Sequence, residues 1–204
     1  MKALLVVDME NDFMPKGSLG VKGADEIVPL INKLMTQFPL VVASKDWHPE
    51  DHCSFAASHP GKKPGDVIEI KGHSQVLWPA HCVRNTRGAE FTPTLKKELI
   101  SSIFYKGTDT LIDSYSAFYD NDRCKSTGLT DYLKSHNVTE LYIVGLTTDY
   151  CVVYSALDAI DEDFKVTVFQ DACRGINLHP HDVDNALAAI AAKGGRVIST
   201  ENFV

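Results

Sequence analysis

The chain has 204 residues, of which 44% are hydrophobic and 23% are charged, and its formal net charge is −7 at pH 7. This length suits one domain with a full hydrophobic core, and a negative charge without a basic cluster argues against nucleic acid as a partner. No apolar stretch approaches the roughly 18 residues that span a membrane, and the short N-terminal apolar run ends in acidic residues. Neither a membrane span nor a signal peptide is predicted, so we expect a cytoplasmic location.

Buried strands are predicted, in chain order, at residues 3–7, 40–44, 103–106, 141–145, 166–169 and 196–199. Apolar residues at helical spacing predict helices over 27–38, 149–161 and 183–191. Strands that alternate with helices and are continuously apolar predict an α/β fold, with a parallel sheet covered on both faces. In such folds ligands bind outside the carboxyl ends of the strands.

Residues 45–92 depart from this alternation, because they have little periodicity and are rich in histidine, proline and glycine. The segment holds five of the eight histidines, at positions 48, 52, 59, 73 and 81. Loops much longer than about 15 residues are uncommon and are usually functional. We therefore expect a ligand-binding or metal-binding loop here.

Three polar residues follow predicted strands and should meet at one edge of the sheet. Asp8 closes the first strand, Lys106 closes the third, and Cys151 begins a helix after the fourth. The positive end of a helix dipole favours a thiolate, so a lowered pKa is expected for Cys151. A carboxylate beside the thiol could take its proton, and a lysine would hold both anions. Taken singly, each residue also fits an ordinary structural role.

The long loop carries a candidate metal site. In extended backbone, residues two apart point the same way, so Asp46 and His48 could hold one ion, and His81 could close the site. One carboxylate and two imidazoles suit Zn²⁺, Fe²⁺ or Mn²⁺. His52 is a candidate fourth ligand or supporting group. The alternative is that these loop histidines are simply solvated.

Four aromatic residues flank these polar groups: Phe13, Trp78, Tyr115 and Tyr150. They could form the walls of a flat substrate pocket, or they could belong to the hydrophobic core.

Seven motifs together give the chain a specific resemblance over essentially its whole length. They are VVDMENDF at 6–13, KDWHPEDHCSFA at 45–56, WPAHCV at 78–83, FYKG at 104–107, DSYSAFYDN at 113–121, VGLTTDYCV at 144–152 and DACRGIN at 171–177. This combination resembles the nicotinamidase (pyrazinamidase) branch of the isochorismatase-like cysteine hydrolases. The resemblance implies one α/β domain over residues 1–204, in three layers, with a six-stranded parallel sheet flanked by helices.

The resemblance also implies catalytic roles. Cys151 would be the nucleophile, Asp8 the general base and acid, and Lys106 the cation that orients them. Members of the family carry a cis peptide bond before the nucleophile, here between Leu146 and Thr147. The backbone N–H groups of Thr147 and Cys151 would then form an oxyanion hole.

For the metal, the resemblance implies Asp46, His48 and His81 as ligands. A fourth protein ligand often follows the Asp-x-His motif, and His52 or Ser54 could fill that position. One divalent ion is expected, with Zn²⁺ first and Fe²⁺ or Mn²⁺ as alternatives. The ion would bind the ring nitrogen of the substrate.

The implied activity is hydrolysis of nicotinamide to nicotinate and ammonia through a cysteine thioester, a step of NAD salvage. The ring would lie between Phe13, Trp78 and Tyr115, and pyrazinamide should also react. Two alternatives stay open: a binding protein of the same fold with Cys151 as a redox sensor, and an amidase for ureido or other small amides. The sequence also leaves open whether the chain forms a homo-oligomer.

Overall fold

The structure is a computed structural model that describes residues 1–203. The strands are β1 (Lys2–Val7), β2 (Val41–Asp46), β3 (Val67–Ile70), β4 (His73–Val76), β5 (Ser102–Lys106), β6 (Glu140–Leu146), β7 (Lys165–Arg174) and β8 (Arg196–Ile198). The α-helices are α1 (Val28–Met35), α2 (Leu129–Ser135), α3 (Val153–Asp161) and α4 (Asp182–Ala192), and a π-helical turn over Thr148–Val152 leads into α3.

Six strands form the central sheet in the order β5-β2-β1-β6-β7-β8, and every neighbouring pair is parallel. The prediction of a six-stranded parallel sheet is therefore confirmed. From the central β1 the chain first builds one side of the sheet, through β2 and β5, and then builds the other side from β6 outward. Because the connections diverge around β1, a crevice is expected at the carboxyl ends of these central strands.

Side chains of β1 show how both faces of the sheet are buried. Ala3, Leu5 and Val7 pack in a cluster with residues of α2, α3 and α4. Leu4 and Val6 point the other way and pack with residues of α1. Since successive strand residues face opposite sides, an uninterrupted apolar strand needs helices on both faces. The three-layer arrangement follows from this pattern.

Gly145 allows β6 to lie close to β1 at their carboxyl ends. It pairs with Val7 and has a positive φ of 116°. A Cβ atom at this position would lie 2.1 Å from the carbonyl oxygen of Val7. A side chain here would push the two strands apart, just before the segment that carries Cys151.

Two elements differ from the predictions. Residues 45–92 contain the antiparallel hairpin β3–β4, and helix α2 lies at 129–135, where no helix was predicted. Most hairpin residues are partly or fully exposed, so the apolar alternation that marks a buried strand is weak there. Helix α2 is only seven residues long, which is too short for a clear helical period. Among residues 1–203, no helix has the length and apolar character needed to cross a membrane.

Candidate active site and metal centre

The carboxyl ends of four neighbouring strands bring the predicted catalytic residues together. Asp8 directly follows β1, Asp46 ends β2, and Lys106 ends β5 opposite Asp46 in the strand register. Cys151 lies in the π-helical turn after β6. All four side chains are buried. The parallel sheet thus places two carboxylates, an ammonium group and a thiol in one crevice.

Lys106 lies at the centre of this group. Its Nζ is 2.9 Å from Asp8 Oδ2 and also contacts Asp46 Oδ1. It lies 3.2 Å from Cys151 Sγ and donates a hydrogen bond of 3.1 Å to the Ser114 carbonyl oxygen. One ammonium group therefore links both carboxylates to the thiol, and it stays paired although its side chain is fully buried.

The environment keeps Lys106 charged. Burial alone would lower the pKa of Lys106, but the carboxylates of Asp46 and Asp8 outweigh burial and raise it well above its usual range. Burial raises the pKa of Asp8, while Lys106 partly offsets that effect. Ser44 donates a 2.7 Å hydrogen bond to Asp8 Oδ1, which fixes the orientation of the carboxylate.

The expected lowering of the Cys151 pKa is wrong for the free protein. Burial raises the pKa of this thiol well above its usual range, and the nearby Lys106 offsets only part of that rise. The Cys151 thiol is enclosed by the protein, and a thiolate there loses its solvation by water. A separate base is therefore needed to produce the thiolate, and oxygen atoms of Asp8 and Asp46 lie within 4.8 Å of Cys151 Sγ.

A second cluster lies beside the first and shares Asp46 with it. Ligand atoms of Asp46, His48 and His81 all lie within 4.8 Å of one another, and all three residues are buried. The Nε2 atoms of His48 and His81 are 3.4 Å and 3.5 Å from Asp46 Oδ2. Two imidazoles facing one carboxylate form a donor set suited to a divalent cation.

Backbone carbonyl groups orient both imidazole rings. His48 Nδ1 lies 2.9 Å from the Gly107 carbonyl oxygen, and His81 Nδ1 lies 2.8 Å from that of Pro79. These contacts assign the proton to Nδ1 and leave Nε2 free to bind a metal. A Cβ atom on Gly107 would lie 2.3 Å from the His48 ring, so glycine is required there. The residues present therefore fit a metal ion.

The two candidates for the fourth ligand differ in what they contact. His52 Nδ1 lies 2.7 Å from Ser54 Oγ, so these two atoms are hydrogen-bonded to each other. His52 Nε2 is buried without a hydrogen-bond partner. The His52 ring lies 4.2 Å from the His48 ring between centroids, and burial lowers the pKa of His52 to about 4. Because His52 is a neutral imidazole with a free nitrogen, it is a better candidate for the fourth metal ligand than Ser54.

The four predicted aromatic residues line one narrow pocket, of about 20 Å³, between the two clusters. The Trp78 and Tyr150 rings lie edge to face at 4.9 Å, and Tyr115 is 5.3 Å from Tyr150. Phe13 packs edge to face against His81 at 5.5 Å. All four residues therefore face the same pocket as Cys151. A larger cavity, of about 180 Å³, lies beyond Tyr115 under the β3–β4 hairpin and contains neither cluster.

Sequence reasoning missed several residues that support the site. Gln75, in the hairpin, donates to Asp113 Oδ2 at 3.0 Å and to the Tyr115 hydroxyl at 3.1 Å. Glu10 Oε1 accepts a 2.7 Å hydrogen bond from the Asp46 backbone N–H. A serine within the apolar strand β2 could have drawn attention to Ser44. No periodic signal marks Gln75, because its partners lie about 40 positions away in the sequence.

The segment between β6 and α3 holds the predicted oxyanion-hole residues. The Leu146–Thr147 peptide bond is cis, as the resemblance implied. The Thr147 carbonyl oxygen accepts hydrogen bonds from the N–H groups of Tyr150 and Val152, at 3.1 Å and 3.0 Å. These bonds fold the turn that presents Cys151 to the pocket.

Comparison with known proteins agrees with this geometry. The isochorismatase domain family matches residues 2–202. A nicotinamidase of Escherichia coli (strain K12) is 43% identical over 206 residues, which cover 99% of this chain and 96% of that protein. A solved Acinetobacter baumanii nicotinamidase/pyrazinamidase superposes with a TM-score of 0.96 at 45% identity, covering 100% of this chain and 98% of that chain.

A third similar protein bears on the metal centre. The Pyrococcus horikoshii pyrazinamidase, solved in complex with zinc, has a TM-score of 0.78 and 36% identity, with 97% of this chain and 98% of that chain covered. The matches extend over almost the whole chain and agree with its motifs, its central sheet and the geometry of its site. This protein belongs to the isochorismatase family, as the resemblance of its motifs predicted.

Proposed function

We propose that this protein is a nicotinamidase, which hydrolyses nicotinamide to nicotinate and ammonia. The observation that carries the proposal is the grouping of Asp8, Lys106 and Cys151 beside Asp46, His48 and His81 at one aromatic pocket. Full-length relatives named nicotinamidase, at 43% and 45% identity, support the substrate. An amidase needs a nucleophile and a proton carrier, and this grouping supplies both.

In the first half-reaction, Asp8 accepts the proton of the Cys151 thiol. The thiolate attacks the carboxamide carbon and forms a C–S bond, and the carbonyl π electrons move to oxygen. The N–H groups of Thr147 and Cys151 stabilise this oxyanion. Lys106 stays charged throughout and stabilises the anionic forms of both Asp8 and the thiol, because its Nζ contacts both side chains.

To complete this first half-reaction, Asp8 returns its proton to the leaving nitrogen. The C–N bond breaks, ammonia leaves, and a nicotinoyl thioester remains on Cys151. In the second half-reaction, Asp8 removes a proton from water, and the resulting hydroxide attacks the thioester carbon. The C–S bond breaks, the Cys151 thiolate takes the proton back from Asp8, and the nicotinic acid formed loses its carboxyl proton to water and leaves as nicotinate. Asp8 must act as base and acid in turn. Burial raises its pKa, which helps it to hold the proton between the two steps, and the charge of Lys106 opposes that rise.

The metal centre in this proposal consists of Asp46, His48 and His81, with His52 or Ser54 as the fourth protein ligand. A bound divalent ion, with Zn²⁺ first and Fe²⁺ or Mn²⁺ as alternatives, would supply a Lewis acid that holds the pyridine nitrogen. The rings of Phe13, Trp78, Tyr115 and Tyr150 would enclose the substrate ring and exclude water. This positioning brings the carboxamide carbon to the Cys151 sulfur.

Ammonia release from nicotinamide by the purified protein tests the proposed function. We expect release from nicotinamide and from pyrazinamide, because both keep the ring nitrogen and the carboxamide. Prior treatment with a chelator should stop release, and added Zn²⁺ should restore it. No release from protein that contains metal and an intact thiol would contradict the proposal. Release from ureido substrates instead would favour the alternative amidase, and no release from any amide would favour a binding protein.

Replacement of His48 with alanine tests the metal centre. Loss of a residue that only hydrogen-bonds a metal ligand lowers metal affinity by roughly 10–100-fold, and loss of the ligand itself should lower it by at least as much. We expect substrate affinity to fall as well. His73→Ala is the matched control, since His73 is exposed in the same loop region. Metal content by mass spectrometry measures the first effect, and nicotinamide affinity by calorimetry, in a Cys151→Ala background that prevents turnover, measures the second. Normal metal content in His48→Ala would count against the site.

A cytoplasmic location stays a prediction.

A further inference from the structure

Thr147 lines the pocket, and its side-chain hydroxyl has no role in the proposed reaction. The residue is 1% exposed, and its Oγ1 is buried without a hydrogen-bond partner. Thr147 lines the pocket together with Cys151 and Tyr150. Its backbone N–H is already assigned to the oxyanion hole in the proposed function, but the side chain is not used.

Two other polar side chains that line this pocket have hydrogen-bond partners. The Tyr115 hydroxyl accepts hydrogen bonds from Gln75 Nε2 and from Trp78 Nε1. The Asp113 carboxylate accepts from Gln75 and from the Ser114 backbone N–H. Of the side-chain atoms in residues 1–203 that are buried without a partner, Thr147 Oγ1 is the one whose residue lines this pocket.

An unpaired buried hydroxyl destabilises a folded protein, because it has lost its hydrogen bonds to water. A valine side chain, which has a methyl group in place of the hydroxyl and nearly the same size, would avoid that cost. The presence of threonine at this position is therefore explained if a bound ligand supplies the missing hydrogen-bond partner. The pocket is where that ligand must bind, since Cys151 Sγ has to reach the carbonyl carbon under attack.

We propose that the Thr147 hydroxyl is a specificity-determining hydrogen-bond partner of the substrate carboxamide. The inference rests on the proposed function, which places the carboxamide carbon at Cys151 and its oxygen near the Thr147 N–H. The amide nitrogen and oxygen then lie beside the Thr147 side chain. A hydroxyl can both donate and accept, so it matches a carboxamide, which also does both. A pyridine with an apolar substituent would leave the hydroxyl unpaired and would bind less tightly.

The test compares Thr147→Val, which removes the hydroxyl at nearly constant volume, with Thr147→Ser, which keeps it. We expect kcat/KM for nicotinamide to fall by about 3- to 10-fold in Thr147→Val, and Thr147→Ser to recover most of it. The thermal midpoint of free Thr147→Val should be equal to or higher than that of the wild type. Thr130→Val, a buried threonine of α2 outside the pocket, is the matched control and should keep wild-type kinetics.

A binding measurement separates contact with the carboxamide from a general change in the pocket. In a Cys151→Ala background, Thr147→Val should weaken nicotinamide binding by the same 3- to 10-fold. Binding of 3-methylpyridine, which has the ring nitrogen but no carboxamide, should not weaken.

Two results would overturn the inference: unchanged kcat/KM and nicotinamide affinity in Thr147→Val, or equal weakening for both ligands. A lower thermal midpoint of the free variant would also overturn it, because the hydroxyl would then have a partner within the protein. If the wild type itself releases no ammonia, the proposed function fails first, and that outcome is read from the wild type alone.

Discussion

Replacement of Cys151 with alanine is expected to abolish ammonia release, with a fall in kcat of about 10⁴-fold or more. The reason is that no C–S bond can form without the sulfur, and nucleophile removal is among the most costly single changes in covalent catalysis. Nicotinamide binding should persist, because the aromatic pocket and the metal ligands are unchanged. Steady-state ammonia release and calorimetric titration of the same sample measure the two effects.

The chain offers close controls for this variant. Cys173 is also buried, in β7, and burial raises its pKa to about 12, but it lies outside the aromatic pocket. Cys173→Ala should therefore keep its activity. In the wild type, hydroxylamine added during turnover should capture the thioester as a hydroxamate, and Cys151→Ala should form none. Substantial ammonia release from pure Cys151→Ala would refute the assignment of the nucleophile.

Much of the fold could be predicted because its strands are continuously apolar. Each of the six predicted strands overlaps a strand of the central sheet, with ends that coincide or differ by at most five residues. Their parallel arrangement then placed Asp8, Lys106 and Cys151 at one edge, since all carboxyl ends of a parallel sheet lie on the same side. Residue identity and topology were sufficient for this step, because the relevant positions are defined by where the strands end.

Contacts between distant, irregular segments could not be predicted in the same way. The hairpin that carries Gln75 is mostly exposed, so no apolar period marks it. The direction of the Cys151 pKa shift was also wrong, because the sequence shows the start of a helix but not how completely the thiol is enclosed. Burial is a property of the packed structure, and here its effect on the thiol pKa outweighs that of Lys106.

Replacement of Asp8 with asparagine is expected to block the acylation step, with a fall in kcat of roughly 10²–10⁴-fold. Asparagine has the same shape but cannot accept the thiol proton, and the Cys151 pKa is raised well above its usual range by burial. Transfer of the thiol proton to a carboxylate at position 8 would therefore be lost. Lys106 would keep Asp46 as a partner, so its charge stays paired and the site should remain folded. Rapid-quench measurement of ammonia should show no burst in the first turnover.

Glu10→Gln is the matched control for Asp8→Asn, because it changes another fully buried carboxyl group two positions away. Burial, together with the nearby Asp8 and Asp46, raises the pKa of Glu10 well above its usual range and so favours the neutral form of this carboxyl. The side-chain oxygen of glutamine can still accept the hydrogen bond from the Asp46 backbone N–H. The activity of Glu10→Gln should therefore stay near that of the wild type. A stoichiometric burst of ammonia from Asp8→Asn would show that another group takes the thiol proton. Asp46 would then be the remaining carboxylate within reach, since its oxygen also lies within 4.8 Å of Cys151 Sγ.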